Sequence, residues 1–208
     1  MDKGKNKLAL IDFDGTITSK DTLISFVAYI TPWYRWPSAF LRLLPHYIGY
    51  LTRILNAEQF KVHFLNQFIR HKSKVELENE IAEFHKKKLG GLLYLQALES
   101  IQVLRTRGYR IVLVSANIAP LVKPFCDKYQ LECIATELEW VNGLYSGKLA
   151  TQNCKGEEKA RRICESLDLS GYEFIAAWGD HPSDLPMLHL AHFQGYRIFH
   201  KQPITFER

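Results

Sequence analysis

Two kinds of apolar pattern alternate along the chain. Four short runs are apolar at nearly every position: Leu8-Ala9-Leu10-Ile11, Ile111-Val112-Leu113-Val114, Cys133-Ile134-Ala135-Thr136 and Phe174-Ile175-Ala176-Ala177-Trp178. Short unbroken runs of this sort, bounded by turn residues, predict strands buried on both faces. The first strand is read over residues 8–14 and the second from Arg110 to Val114. Most of the sequence between these runs has helical spacing. From about Asp21 to Leu89 the pattern predicts three to four helices inserted after the first strand. The first stops before Pro32, since a residue preceding proline is pushed out of the helical region. A second follows an aromatic turn at Trp33–Pro37 and carries Phe40, Leu44, Tyr47, Ile48 and Leu51 at helical spacing, with a kink at Pro45. Two more run over Glu58–Ile69, with Phe60, Phe64 and Phe68 spaced by four, and Val75–Leu89.

Further helices are predicted at residues 92–107, closed by Gly108, from Ala119-Pro120 onward, at 157–167, and after Asp184 through Leu190. Residues Glu137–Leu149 alternate around Asn142-Gly143, a two-residue hairpin signal. A last short strand is expected at Arg197-Ile198-Phe199. Strand and helix alternate throughout, so the fold class is α/β, with a doubly wound, mostly parallel, Rossmann-like sheet.

Composition narrows the class. The 208 residues, 47% hydrophobic and 24% charged, are those of an ordinary soluble globular protein with a full core. Cys126, Cys133, Cys154 and Cys164 show no Cys-x-x-Cys pair, which argues against a zinc or dithiol site. They read as reduced, mostly buried thiols of a cytoplasmic protein. Met1–Lys5 runs straight into the first strand, leaving no room for a signal peptide. The net charge of +5 is concentrated: Ser19–Gly90 holds eleven Lys or Arg against six Asp or Glu, and the remainder is balanced. A solvated helical surface is the simplest meaning, and attraction to an anionic substrate or lipid surface is the functional one. There is no basic-aromatic motif for nucleic acid. The longest charge-free run, Thr22–Tyr34, has thirteen residues, short of the ~20 that a spanning helix needs. An amphipathic face lying on a membrane stays open.

The candidate chemistry sits at strand ends. Asp12 and Asp14 follow the first strand, Ser115 and Asn117 the second, Asp180 and Asp184 the fourth. In a parallel sheet those carboxyl ends meet on one edge, where such folds bind ligands. Four carboxylates converging there require a cation, and hard oxygen donors select Mg2+. A hydroxyl followed by a helix N-terminus makes a phosphate cradle, and a lysine at the start of the next helix adds positive charge. The set describes phosphoryl transfer, with an aspartate nucleophile and a neighbouring aspartate as acid and base.

Asp12-Phe13-Asp14-Gly15-Thr16, the strand ending in Ser115, the lysine-bearing helix start after Asn153-Cys154-Lys155-Gly156, and Gly179-Asp180-x-x-x-Asp184 resemble the four motifs of the haloacid dehalogenase (HAD) superfamily, in order and across nearly the whole chain. The helical insertion resembles the class IB cap of its phosphoserine phosphatase-like branch. The resemblance implies a core domain of residues 1–18 and 90–208 and a helical cap of 19–89. It implies that Asp12 attacks phosphorus, that Asp14 is the general acid and base, and that Ser115 and Asn117 bind substrate. It assigns Mg2+ to Asp12, Asp14 (through its carbonyl), Asp180 and Asp184, and the charge-neutralising role to Lys159, with Lys155 as rival. Ser115-Ala116-Asn117 departs from the pattern, since a second Ser is common at the third position, and His181-Pro182 is an unusual filler. The implied activity is hydrolysis of a small phosphate ester. Phosphoserine is the substrate by analogy, and a lipid phosphate such as phosphatidylglycerophosphate by charge. A phosphotransferase or phosphomutase, or a catalytically dead phosphate-binding protein, are the alternatives.

Overall fold

The computed structural model describes residues 6–201. Its centre is a five-stranded, all-parallel sheet. The strands are β1 (Lys7–Ile11), β2 (Tyr109–Ile118), β3 (Glu132–Thr136), β6 (Phe174–Gly179) and β7 (Phe193–Tyr196), in the order β3-β2-β1-β6-β7. A separate hairpin pairs β4 (Leu138–Val141) with β5 (Leu144–Leu149). Both of its turn residues, Asn142 and Gly143, have positive φ, as a tight two-residue turn demands.

The unbroken apolar runs are explained by two cores. Alternate residues of a strand point to opposite faces. Ala9, Ile11, Ile111, Leu113, Ala176 and Trp178 pack on one side of the sheet, and Leu8, Leu10, Val112, Val114, Ile175 and Ala177 on the other. The first side is covered by α1 (Thr22–Ile30), α4 (Lys74–Lys87), α5 (Leu95–Thr106) and α6 (Ala119–Tyr129). The second is covered by α7 (Glu157–Ser166) and the short α8 (Leu185–Leu188).

Between β1 and α5 lie α1, α2 (Trp36–Leu51), α3 (Ala57–Ile69) and α4. The starts of α1, α3 and α4 are fixed by side chains that accept otherwise unpaired N–H groups, while α2 has no such cap and carries Pro37 in its first turn. Asp21 accepts from Ile24 N, Asn56 from Gln59 N, and Ser73 from Glu76 N. α1 ends at Ile30 and Thr31 is extended ahead of Pro32, as expected, while α2 runs on through Pro45. Phe60, Phe64 and Phe68 are half-buried: Phe60 and Phe68 meet α2 at Tyr50 and Trp36, and Phe64 packs on Phe68, whereas Leu65 and Ile69 are the buried residues of α3. No helix among the described residues is long and apolar enough to cross a membrane. Of the cysteines, Cys126 and Cys154 are buried, Cys133 is half-buried and Cys164 is exposed; all four are free thiols.

Several expected bounds shift. The first strand closes at Ile11, where the chain turns off into the Gly15 turn, and the second runs past Val114 to Ile118, so Ser115 and Asn117 lie within it. The edge strand is Phe193–Tyr196, four residues before the apolar run that predicted it. Gly195 lets this strand lie against the Trp178 ring, where any Cβ would overlap the indole, and Arg197 at φ +60 then ends the extended run. The helix after Asp184 closes at Leu188 instead of Leu190. Residues 1–5, read as leading into β1, lie outside the described residues.

Candidate active site

The register of the sheet places the chemistry. Ile11 lies beside Leu113 on one neighbouring strand and Trp178 on the other. β1 and β6 therefore end side by side at Asp12 and Asp180, and Ser115 meets them on the same edge from within β2, which runs on past an irregularity to Ile118. Asp12 N donates to Trp178 O at 2.9 Å, and the chain then turns, with Ile17 N and Thr18 N both donating to Phe13 O. Gly15 makes the turn at φ +83, and a side chain there would overlap the Asp180 carboxylate. Glycine at this position thus lets the first and last motifs touch.

One group of residues surrounds Lys159, in the first turn of α7. Its Nζ donates to Asp12 Oδ1 at 2.5 Å and to Asp184 Oδ1 at 2.6 Å, and all three side chains are buried. Asp184 is held in turn by Asp180 N at 3.2 Å and His181 N at 3.0 Å on its other oxygen. One carboxylate oxygen each from Asp12, Asp180 and Asp184 lies within 4.8 Å of the others. Burial pushes the Asp12 carboxyl up to about 7 against the pull of the Lys159 ammonium, with Asp184 and Asp14 adding repulsion. Burial works against the Lys159 charge too, but Asp12 and Asp184 more than offset it and hold its pKa above that of an ordinary lysine. Asp180 is raised as well, by burial and then by Asp184. The donor set fits Mg2+: three hard oxygens, with negative charge that a single ammonium leaves in excess.

A second group orients Asp14. Its Oδ1 accepts from Thr22 N and Thr22 Oγ1, both at 2.7 Å, and its Oδ2 from Asn117 Nδ2 at 2.9 Å. Asn117 Nδ2 also reaches Thr22 Oγ1 at 2.7 Å, and Asn117 N donates to the buried Ser115 Oγ at 3.0 Å. Asp14 is pushed up to about 6, by burial first and then by the Asp21 charge, while Thr22 and Asn117 pull the other way.

Beside this second group opens a cavity of about 460 Å3 between the sheet edge and the inserted helices. Asp14 and Asn117 line it from the sheet, and Leu23, Ile24, Tyr47, Tyr50, Phe60 and Phe64 give it largely apolar walls. Lys61 and Lys155 are its cations. Lys61 Nζ bonds to Ala116 O and, at 3.0 Å, to Asn153 Oδ1, while Glu58 accepts from Asn153 N at 2.7 Å. Helix α3 is thereby fastened to the sheet edge at two points on Asn153. Burial lowers Lys61 to about 8, with Asp21 and Asp14 partly opposing.

The residues singled out in the sequence thus fall into two adjoining groups. Asp12, Lys159, Asp180 and Asp184 form one, and Asp14, Ser115 and Asn117 the other. Only Asp14 and Asn117 of these seven line the cavity. Lys155 lies at the cavity and Lys159 at the carboxylates. His181 is exposed and caps the turn at Pro182–Asp184, its ring accepting from Ser183 N. Thr22, Glu58 and Lys61 escaped the sequence reading. Each sits on a helix where it looks like an ordinary cap or surface residue, and only the packing of α1 and α3 on the sheet edge brings it to the site.

Comparison with known proteins agrees with this geometry. The family model of haloacid dehalogenase-like hydrolases matches residues 9–189. Protein CicA of Caulobacter vibrioides is 32% identical over 199 residues, covering 94% of this chain and 88% of that protein. A Bordetella pertussis Tohama I protein of unknown function superposes with a TM-score of 0.79 at 23% identity, over 90% of this chain and 87% of its own. A probable phosphoserine phosphatase from Vibrio cholerae gives 0.68 at 16% identity, over 90% of this chain and 55% of its own. A phosphoserine phosphatase solved as a phospho-aspartyl intermediate analogue gives 0.63 at 22% identity, over 96% and 91%. At these identities the structural matches establish a common fold.

Proposed function

The chain belongs to the haloacid dehalogenase-like hydrolase family, and from that premise we propose that it is a Mg2+-dependent phosphomonoesterase working through an aspartyl-phosphate on Asp12. The observation that carries this reading is the buried Asp12–Lys159–Asp184 arrangement beside Asp180, on the sheet edge where Asp14 stands ready with its own hydrogen-bond partners.

An Asp12 carboxylate oxygen attacks phosphorus, and the ester P–O bond breaks. Asp14, whose carboxyl is raised to about 6, gives its proton to the departing alkoxide. It then takes a proton from the water that attacks the phosphorus of the aspartyl-phosphate, which releases phosphate and restores Asp12. Thr22 and Asn117 aim the Asp14 carboxylate throughout. The Ser115 hydroxyl holds a phosphate oxygen, and Lys159 neutralises the charge that gathers on the phosphoryl group. Asn117, read in the sequence as a substrate ligand, spends both Nδ2 hydrogens on Asp14 and Thr22 and acts by positioning them. Asp12, Asp180 and Asp184, joined by the Asp14 carbonyl, would hold Mg2+, which would supply further positive charge beside the phosphoryl group.

Residues 19–89 act as the cap over this edge, fastened by the Glu58 and Lys61 contacts with Asn153. The cavity's apolar walls and two lysines suit a small or lipid-linked ester, with an anionic head and an apolar leaving group. A panel of amino-acid, sugar, nucleotide and lipid phosphates, assayed with Mg2+ and with chelator, tests the proposal. Mg2+-dependent turnover favouring apolar esters is expected, lost in Asp12→Asn at an unchanged melting temperature. Turnover retained by that variant refutes it.

A further inference from the structure

Helix α2 is unusual for a soluble protein. Its sixteen residues bury only Ala39 completely. One face packs on α3 through Trp36 on Phe68, His46 on His63 and Tyr50 on Phe60. The opposite face and its flanks present Trp33, Phe40, Leu41, Ile48, Leu51 and Ile54, each more than half exposed. A contiguous apolar face of this kind marks an interaction surface.

We propose that this face docks on an anionic phospholipid surface. Charge is the first argument. From residue 22 to 57 the chain has no carboxylate, and its formal charges are Arg35, Arg42 and Arg53. Arg35 and Arg42 line a second hollow of about 350 Å3 together with Lys72, whose charge is already met by Glu76 and Glu80 at 2.7 Å each, so the two arginines give the hollow the right sign for a lipid phosphate. Neither arginine makes an ion pair among the described residues. Chemistry along the face is the second argument. Trp33 and Tyr34 stand exposed at the start of α2, and such rings favour the headgroup level of a bilayer. At sixteen residues the helix is too short to span a bilayer, so it lies along the surface. A second copy of the chain is the poorer occupant. Two α2 faces related by a two-fold axis would set three arginines against three, with no carboxylate within 22–57 to relieve them.

The position of the face gives docking a purpose. Tyr47 and Tyr50 of the same helix line the apolar cavity, so a bilayer-held ester would present its apolar part at the cavity wall. That consequence rests on the phosphatase reading, whereas docking itself does not. The test therefore uses the catalytically silent Asp12→Asn full-length chain alongside wild type, and follows co-sedimentation with vesicles of phosphatidylcholine alone or mixed equally with phosphatidylglycerol. Both proteins should sediment with the anionic vesicles, lose binding at high salt, and ignore phosphatidylcholine. Phe40→Ser with Leu41→Glu, at exposed positions, should abolish binding. Arg35→Gln with Arg42→Gln should weaken it by about tenfold or more, with melting temperatures unchanged in both. Absence of binding to anionic vesicles, binding indifferent to these substitutions, or a wild-type dimer in light scattering that Leu41→Glu dissociates would each overturn the proposal. Vesicle binding by an inactive wild-type protein would overturn the phosphatase reading alone.

Discussion

Replacing Lys159 by Met keeps the length of the side chain and removes its charge. In the folded protein that ammonium lies 2.5 Å from Asp12 and 2.6 Å from Asp184, with all three side chains buried and Asp180 nearby. Its loss leaves carboxylates facing one another without a counter-charge. Breaking a buried pair in this way costs about 3–5 kcal/mol. For a chain of this size each kcal/mol lowers Tm by roughly 2–4 °C, so the metal-free variant should melt about 6–20 °C below wild type. Two features of the site modify that figure. Lys159 pulls the Asp12 carboxyl down to about 7 against burial, so its removal raises that carboxyl further, and the deficit should be smallest below pH 7, where Asp12 is protonated in both proteins, and grow as pH rises above it. Mg2+ should also recover more stability in the variant than in wild type, because it meets carboxylates that Lys159 no longer balances. Scanning fluorimetry at pH 6 and pH 8, with and without Mg2+, measures both effects, and hydrolysis of an aryl phosphate should fall by about 10²–10³-fold. A metal-free Tm within a degree or so of wild type at pH 8 would refute the claim that Lys159 holds the carboxylates together.

Other substitutions probe the neighbouring contacts. Gly15→Ala places a Cβ at φ +83 against Asp180, so it should cost about 1–3 kcal/mol and raise the Mg2+ concentration for half-maximal activity; an unchanged metal dependence would deny the Gly15–Asp180 contact its role. Lys61 is charged below about pH 8 and neutral above it, so KM for an anionic ester should rise as pH passes through 8, and Lys61→Met should show a raised KM without that inflection. Phe64→Ala removes part of the cavity wall and should lower kcat/KM for apolar esters by about tenfold while sparing small polar ones; equal losses for both would place the apolar group elsewhere.

What the sequence disclosed was what short-range rules determine. The buried strands are legible because both faces of the sheet are covered, so their residues are apolar without alternation, as in Leu8–Ile11 and Phe174–Trp178. Parallel pairing then brings the strand ends together, which is why Asp12, Ser115 and Asp180 could be grouped across distant positions. Lys159 and Lys155 were rivals because they stand four residues apart at one helix start, and the turn from Lys159 to Ile163 decides between them only once it is packed. In the structure that same turn buries Ile163 against the sheet and aims Lys159 at the carboxylates. The edge strand was misplaced because Gly195 is selected by the Trp178 ring across the sheet, a tertiary constraint with no local signature. Thr22 and Lys61 were invisible for a related reason. A threonine behind a cap and a lysine on an amphipathic helix are common surface residues, and their partners Asn117 and Asn153 lie far away in sequence.

The most direct test of nucleophilic attack by Asp12 is to quench turnover of a phosphate ester in acid and locate the trapped phosphoryl group by peptide mass spectrometry. Phosphate on the peptide that contains Asp12, absent from Asp12→Asn and from samples without Mg2+, is the predicted result. Sustained Mg2+-dependent turnover with phosphate on another residue, or turnover undiminished in Asp12→Asn, would contradict it.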